Sequence, residues 1–183
     1  MNTTRSHSLR QSLAISASVV LLTACANDAP VAPARQAATE ARLATGQRTA
    51  ASDVIATLQR VTGRYHSLKA AADDGFVLLH SCEVRGDEGP VGTVYVHFGR
   101  LLDGRIDPEL PDALIYEPHQ DGLKLVGVEL AVLNAGQDPP QFLGATFQSE
   151  DEFGVYALHA WVWRENPEGI FAETNPRVSC GEE

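Results

Sequence analysis

From Phe76 onward the apolar residues come in short, β-rich runs bounded by Gly, Pro and Asp, and no amphipathic helical stretch stands between one run and the next. Parallel neighbours need a crossover of about a dozen residues or more, usually helical, so this spacing favours an antiparallel sheet over a βαβ layout. The runs are Phe76–Glu83, Gly92–Phe98, Ala113–Glu117, Leu123–Leu133 and Tyr156–Arg164. Their connections hold the turn formers of Gly86–Pro90, Asp103–Pro111, Pro118–Gly122 and Gln137–Gln141. Asn166-Pro167-Glu168-Gly169 suits a type I turn that reverses the chain after the last strand, and Asn175-Pro176 marks a further bend.

Before Phe76 the pattern is helical. Ser52 is suited to cap Asp53–Val61, where Val54, Leu58 and Val61 share a face. Ser67 can cap Leu68–Asp74, with Gly75 supplying a left-handed residue after the last turn. The expected class is α+β: two short N-terminal helices packed on a curved antiparallel sheet of about five strands.

Sorting the strands by alternation separates an aliphatic face from a chemically richer one. Val94, Val96 and Phe98 oppose Tyr95 and His97; Val126, Val128, Leu130 and Val132 oppose Gly127 and Glu129; Leu158, Ala160 and Val162 oppose His159, Trp161 and Trp163. If the strands are neighbours, Tyr95, His97, Glu129, His159, Trp161 and Trp163 gather on one face, with Glu117 joining from the third run. Such a face can line a pocket in which indoles give area and His or Glu give orientation. Two His and a carboxylate can alternatively hold a divalent transition metal, making His97, His159 and Glu129 the ligands of a metal-assisted enzyme. The plain structural alternative is a His97–Glu129 hydrogen bond under a Trp-packed second core. His80 and His119 stand near strand ends and read as surface residues.

Several motifs are absent: no Gly-x-Ser-x-Gly elbow, Gly-rich phosphate loop, dinucleotide fingerprint or HExxH spacing occurs. No cofactor is expected. The acids of Asp103–Glu109 lack full calcium-loop spacing and include Arg105, so they read as a solvated loop.

The N-terminus has a different character. Arg5 and Arg10 precede the apolar run Leu13–Leu22, which ends at small residues and is too short to span a membrane. Leu22-Thr23-Ala24-Cys25 resembles the cleavage box of bacterial lipoproteins. The resemblance implies a signal peptide over residues 1–24, cleavage before Cys25 and acylation of its thiol; an ordinary secretory signal with an incidental Cys25 is the alternative. Ala26 after the lipidated position resembles cargo sorted to the outer membrane where there are two membranes. The expected address is thus the cell envelope, outside the cytoplasm and lipid-anchored. Residues 25–51, rich in Ala, Thr, Gln and Pro, read as a flexible tether to a single domain over residues 52–183.

Assigning Cys25 to lipid leaves Cys82 and Cys180 as an even pair, which in an oxidising compartment is most simply a disulfide. A Cys82 nucleophile served by His80 is the competing idea, disfavoured by export and by the lack of a surrounding motif. Without residues 1–24 the chain has 12 basic and 24 acidic residues, and from Ser52 onward 9 against 22, a net charge of −13. A domain this acidic repels phosphate backbones, which excludes nucleic acid as a partner. The remaining partners are the membrane, through lipid, and a small molecule or an envelope protein.

The succession Tyr65-His66, Ala72–Gly75, Val94–His97, Tyr116-Glu117, Leu125–Glu129, Leu158–Trp163, Asn166-Pro167 and Asn175-Pro176 through Cys180 resembles a group of uncharacterised bacterial exported lipoproteins. It implies a compact exported domain and no particular activity.

Overall fold

A computed structural model describes residues 32–181 of the chain. The signal-peptide reading of residues 1–24 and the lipidation of Cys25 lie outside the described residues.

Helix α1 runs over Ala32–Thr62, much longer than the helix expected from Asp53. The segment read as a tether is therefore helical from Ala32 onward. Its Ala, Gln, Glu and Arg content favours helix, and its hydroxyl residues are accommodated by bonding back one turn. Thr45, Thr49 and Ser52 donate to the carbonyls of Ala41, Thr45 and Arg48. Ser52 thus lies inside the helix instead of capping it. Most residues before Ala50 are exposed, whereas Val54, Ile55 and Leu58 dock on the sheet. The helix has an outer half that projects and an inner half that packs.

A single 3-10 turn, Gly63–His66, leads to α2, Leu68–Asp73. Ser67 caps α2 by accepting the Ala70 amide, and Gly75 follows at φ +98°, both as expected. The strands are β1 (Val77–Arg85), β2 (Gly89–Val96), β3 (Ala113–His119), β4 (Gly122–Leu133), β5 (Gln141–Phe142), β6 (Ala145–Thr146), β7 (Gln148–Glu150) and β8 (Val155–Ala160). A one-turn helix α3, Phe98–Leu101, lies between β2 and β3. Six strands form an antiparallel sheet in the order β1-β2-β3-β4-β8-β7, while β5 and β6 pair separately.

The α+β class and the five strand regions hold, with three local differences. β7 adds a sixth, short and polar edge strand with no apolar pattern to announce it. Phe98 belongs to α3, because His97 caps that turn by accepting the Arg100 amide. The last long strand ends at Ala160, not Arg164, because the Val162 N–H bonds back to the Ala160 carbonyl and turns the chain.

Both faces of the sheet are covered. On one, Leu58, Tyr65, Ala71 and Phe76 of the helical layer pack on Leu114, Val128, Leu130, Leu158 and Ala160. On the other, Leu101 of α3, Phe153 and Val178 of the C-terminal segment cover Val94, Val96, Ile115 and Ala157. A disulfide joins Cys82 to Cys180 across 98 residues, with Cα atoms 5.3 Å apart. It fastens the C-terminal segment to β1. Gly92 is required where β2 crosses β3: its φ is +102°, and a Cβ would lie 2.8 Å from the Tyr116 carbonyl oxygen.

Candidate functional site

Cross-strand register decides which side chains meet. Val96 faces Ala113, Ala113 faces Glu129, and Glu129 faces His159, so these four form one row on the face away from the helices. Tyr95 belongs to the next row, with Leu114, Val128 and Ala160, on the helix-covered face. The expected gathering is therefore split. Glu129, His159 and Trp161 share the second face, while Tyr95 and Trp163 lie on the first and His97 packs beside it. A bulge separately redistributes β4: the pairing steps from Ile115 opposite Gly127 to Tyr116 opposite Leu125, leaving Val126 without an opposite residue. Val126 consequently joins the second core while Val128, Leu130 and Val132 join the first.

The separated residues have structural duties. Tyr95 meets Tyr116 edge-on at 5.4 Å. It also lines a wide, open concavity of about 490 Å³ beside the disulfide. The His97 ring meets Phe76 edge-on at 5.4 Å and caps α3. The Trp163 indole donates to Thr62 Oγ1 at 3.1 Å and packs on His66. Glu117 accepts the Ser179 amide and so holds the C-terminal segment instead of joining Glu129. His97 thus leaves the proposed metal triad, and no group of three His, Cys, Asp or Glu among the described residues is arranged to hold a metal ion.

Glu129 and His159 form a buried pair, 8% and 4% exposed, with Oε1 and Nε2 3.1 Å apart. His159 Nδ1 donates to the Glu173 carbonyl at 2.5 Å, so both ring nitrogens face acceptors and the imidazolium is the form that satisfies them. Burial alone would push the Glu129 carboxyl up, but the adjacent His159 charge outweighs it and holds the carboxyl below its ordinary value. For His159, burial works downward and is outweighed by Glu129 and the Glu173 carbonyl, so the ring is held above its ordinary value. Trp161 stands edge-on to His159 at 6.0 Å and donates its indole N–H to the Ala172 carbonyl. Arg85 adds a second ionic layer, donating to both carboxylate oxygens of Glu150 and to Glu173.

Val96, Ala113 and Glu129 of this row line a cavity of about 90 Å³. Leu79, Val96, Leu101, Phe153 and Val155 are its apolar walls, with Ala113 and Ala131 between them. Half-exposed Phe98 marks its mouth. The polar lining consists of two carboxyl groups, Glu129 and Asp112. Asp112 is 1% exposed and accepts the Ala131 amide on Oδ2 at 2.8 Å. Burial, reinforced by Asp103 and Glu129 and opposed by the Ala131 amide and Arg100, pushes Asp112 up to about 7. Two carboxyl groups on one small cavity thus hold their protons very differently, one ionised and one poised near neutrality.

Sequence reasoning missed Asp112, Phe98 and Phe153. Asp112 stands between the acidic loop and β3, and only the β3–β4 pairing brings it to Glu129. His80, read as a surface residue, stacks on Phe153 with ring centroids 5.7 Å apart. Comparison of the chain with family models, curated proteins and solved structures finds no match.

Proposed function

We propose that this chain is a lipid-anchored extracytoplasmic domain that binds a small ligand in the cavity floored by Glu129 and Asp112. The observation that carries the reading is the lining: apolar walls with two convergent polar groups are the usual lining of a small-molecule site, here in a hollow well below the usual volume of such sites. The disulfide supports an oxidising address, since such bonds are rare in reducing compartments. Between Cys25 and the packed half of α1, the projecting residues 32–49 would act as a rod of about 27 Å instead of a coil. The anchor places the ligand site near, but not in, the membrane surface.

Methyl NMR tests the cavity. Small fragments are expected to shift the resonances of Leu79, Val96, Ala131 and Val155, and Ala131→Leu, which fills the hollow, should abolish those shifts while the Trp161 indole signal keeps its folded position. Shifts that survive the filling substitution, or no shifts from a broad fragment set, would refute the site. Fractionation of expressing cells tests the anchor: the wild-type chain should sediment with membranes and Cys25→Ser should be released. Retention of the variant on membranes would refute anchoring through that thiol.

A further inference from the structure

We infer that the ligand of this cavity is a small primary amine, bound as its ammonium ion between Asp112 and Glu129. The inference rests on the cavity reading above and names the chemical class it takes. Both polar groups in the lining are carboxyls, and no lining side chain carries a cationic or amide N–H. A guest that satisfies them must supply donors, and in apolar surroundings a charged donor gains more than a neutral one.

The neighbouring cations are already committed. His159 serves Glu129 and the Glu173 carbonyl. Arg85 serves Glu150 and Glu173. Arg100 donates to the Pro111 carbonyl and the Tyr65 hydroxyl and lies over the Phe76 ring, on the helix side. Asp112 is in no ion pair among the described residues, although it is almost fully buried. A buried acid without a counter-ion either keeps its proton or receives a cation from outside. The ligand supplies that cation.

Size and shape narrow the class. A cavity of about 150 Å³ accommodates benzene, so this one, at about 90 Å³, takes three to five non-hydrogen atoms. A propyl- or isobutylammonium group fits this range, with any longer tail leaving past Phe98. Phe98 and Phe153 add aromatic surface to the lining that the alkyl chain would meet. The −13 charge from Ser52 onward raises the local concentration of cations and lowers that of anions.

The test compares three probes of five non-hydrogen atoms each on the full folded chain at pH 7: isobutylammonium chloride, isobutanol and sodium propionate, each followed by the methyl shifts of Val96, Ala131 and Val155. The ammonium probe should bind at least about tenfold more tightly than either of the others. Calorimetry in buffers of different ionisation enthalpy should show up to about half a proton released as it binds, because Asp112, pushed up to about 7, is about half protonated at pH 7 and a cation beside it favours the ionised carboxyl over Asp103, Glu129 and burial, which oppose it. Asp112→Asn should lose both the preference and the proton release. Equal or tighter binding of the alcohol or the carboxylate overturns the amine assignment and leaves the cavity reading standing; binding by none of the three overturns the assignment, and the broader fragment set then decides the cavity.

Discussion

The two faces of the sheet are buried alike but held by different means. The helix-covered face is closed by aliphatic and aromatic packing, and Leu58, Leu114, Leu125, Val128 and Leu130 there are essentially inaccessible. The opposite face has a comparable apolar core yet also contains the Glu129–His159 pair, Asp112 and the Arg85 cluster. Burying charge costs free energy that packing alone would not incur, and a buried ion pair is often no more stable than a hydrophobic replacement. A face that retains such groups around a hollow accords with the ligand site proposed above. The cover differs as well. Helices close the first face, whereas a loop-like C-terminal segment closes the second through Trp161, His159 and Val178.

Removing the disulfide should break that contrast most strongly. On the chain-entropy model, a loop closed across 98 residues stabilises by about 4–5 kcal/mol. The double substitution Cys82→Ser with Cys180→Ser should lose roughly that amount in chemical denaturation, and hydrogen exchange should rise first at Thr174–Cys180. A loss spread evenly over both faces would show that the C-terminal segment needs no fastening.

Adjacent residues of β4 provide the next comparison, because Glu129 and Leu130 point to opposite faces. Leu130→Ala should cost about 2–5 kcal/mol with little dependence on pH, as an apolar cavity does not titrate. Glu129→Ala should cost about 3–5 kcal/mol at pH 7, since it leaves a buried imidazolium unpaired. That cost is confined to a window. Glu129, held below its ordinary value, contributes stability that is present above its unfolded value and lost as pH falls through its folded one. His159, held above its ordinary value, contributes stability that is present below its unfolded value and lost as pH rises through its folded one. The difference between Glu129→Ala and wild type should hence shrink at both extremes. A pH-independent cost would mean that packing, and not charge, is what Glu129 supplies.

These contrasts were only partly legible in the sequence. The antiparallel class, five strand regions and the Ser67 cap follow from spacing, β-rich composition and turn residues, all of which act locally. The pairing of Cys82 with Cys180 was reached by arithmetic. Whether Tyr95 faces Glu129 is a matter of register, and register depends on which residues of β2 meet β3 and which of β3 meet β4. The observed register sets Tyr95 in a row with Leu114 and Val128, one row from Glu129, and Trp163 leaves because the strand ends at Ala160, where the chain turns. Glu129 and His159 stay together because their strands are direct neighbours that pair without a bulge, so simple alternation holds around both residues. Asp112 had no such signal, being placed by a loop. The extent of α1 escaped for another reason: its outer half buries little, so no amphipathic stripe marks it.

Asp112→Asn sharpens the contrast in the opposite direction, as a gain. The carboxyl's folded value of about 7 exceeds its ordinary one, so the native state prefers the protonated acid. The sign follows from proton binding: between the unfolded value and about 7 the native state holds more protons than the unfolded chain, and stability falls as pH rises through that interval. An asparagine keeps an oxygen for the Ala131 amide and carries no charge. At pH 8 the variant should therefore exceed wild type by about 2–4 kcal/mol, as measured by urea denaturation, and the difference should close below about pH 4. The same change on an exposed acid such as Glu109, already paired with Arg60 at the surface, should move stability by no more than about 0.5 kcal/mol. If Asp112→Asn gives no alkaline gain, the carboxyl already has a counter-charge in the folded chain, and the second face would be electrostatically as complete as the first is apolar.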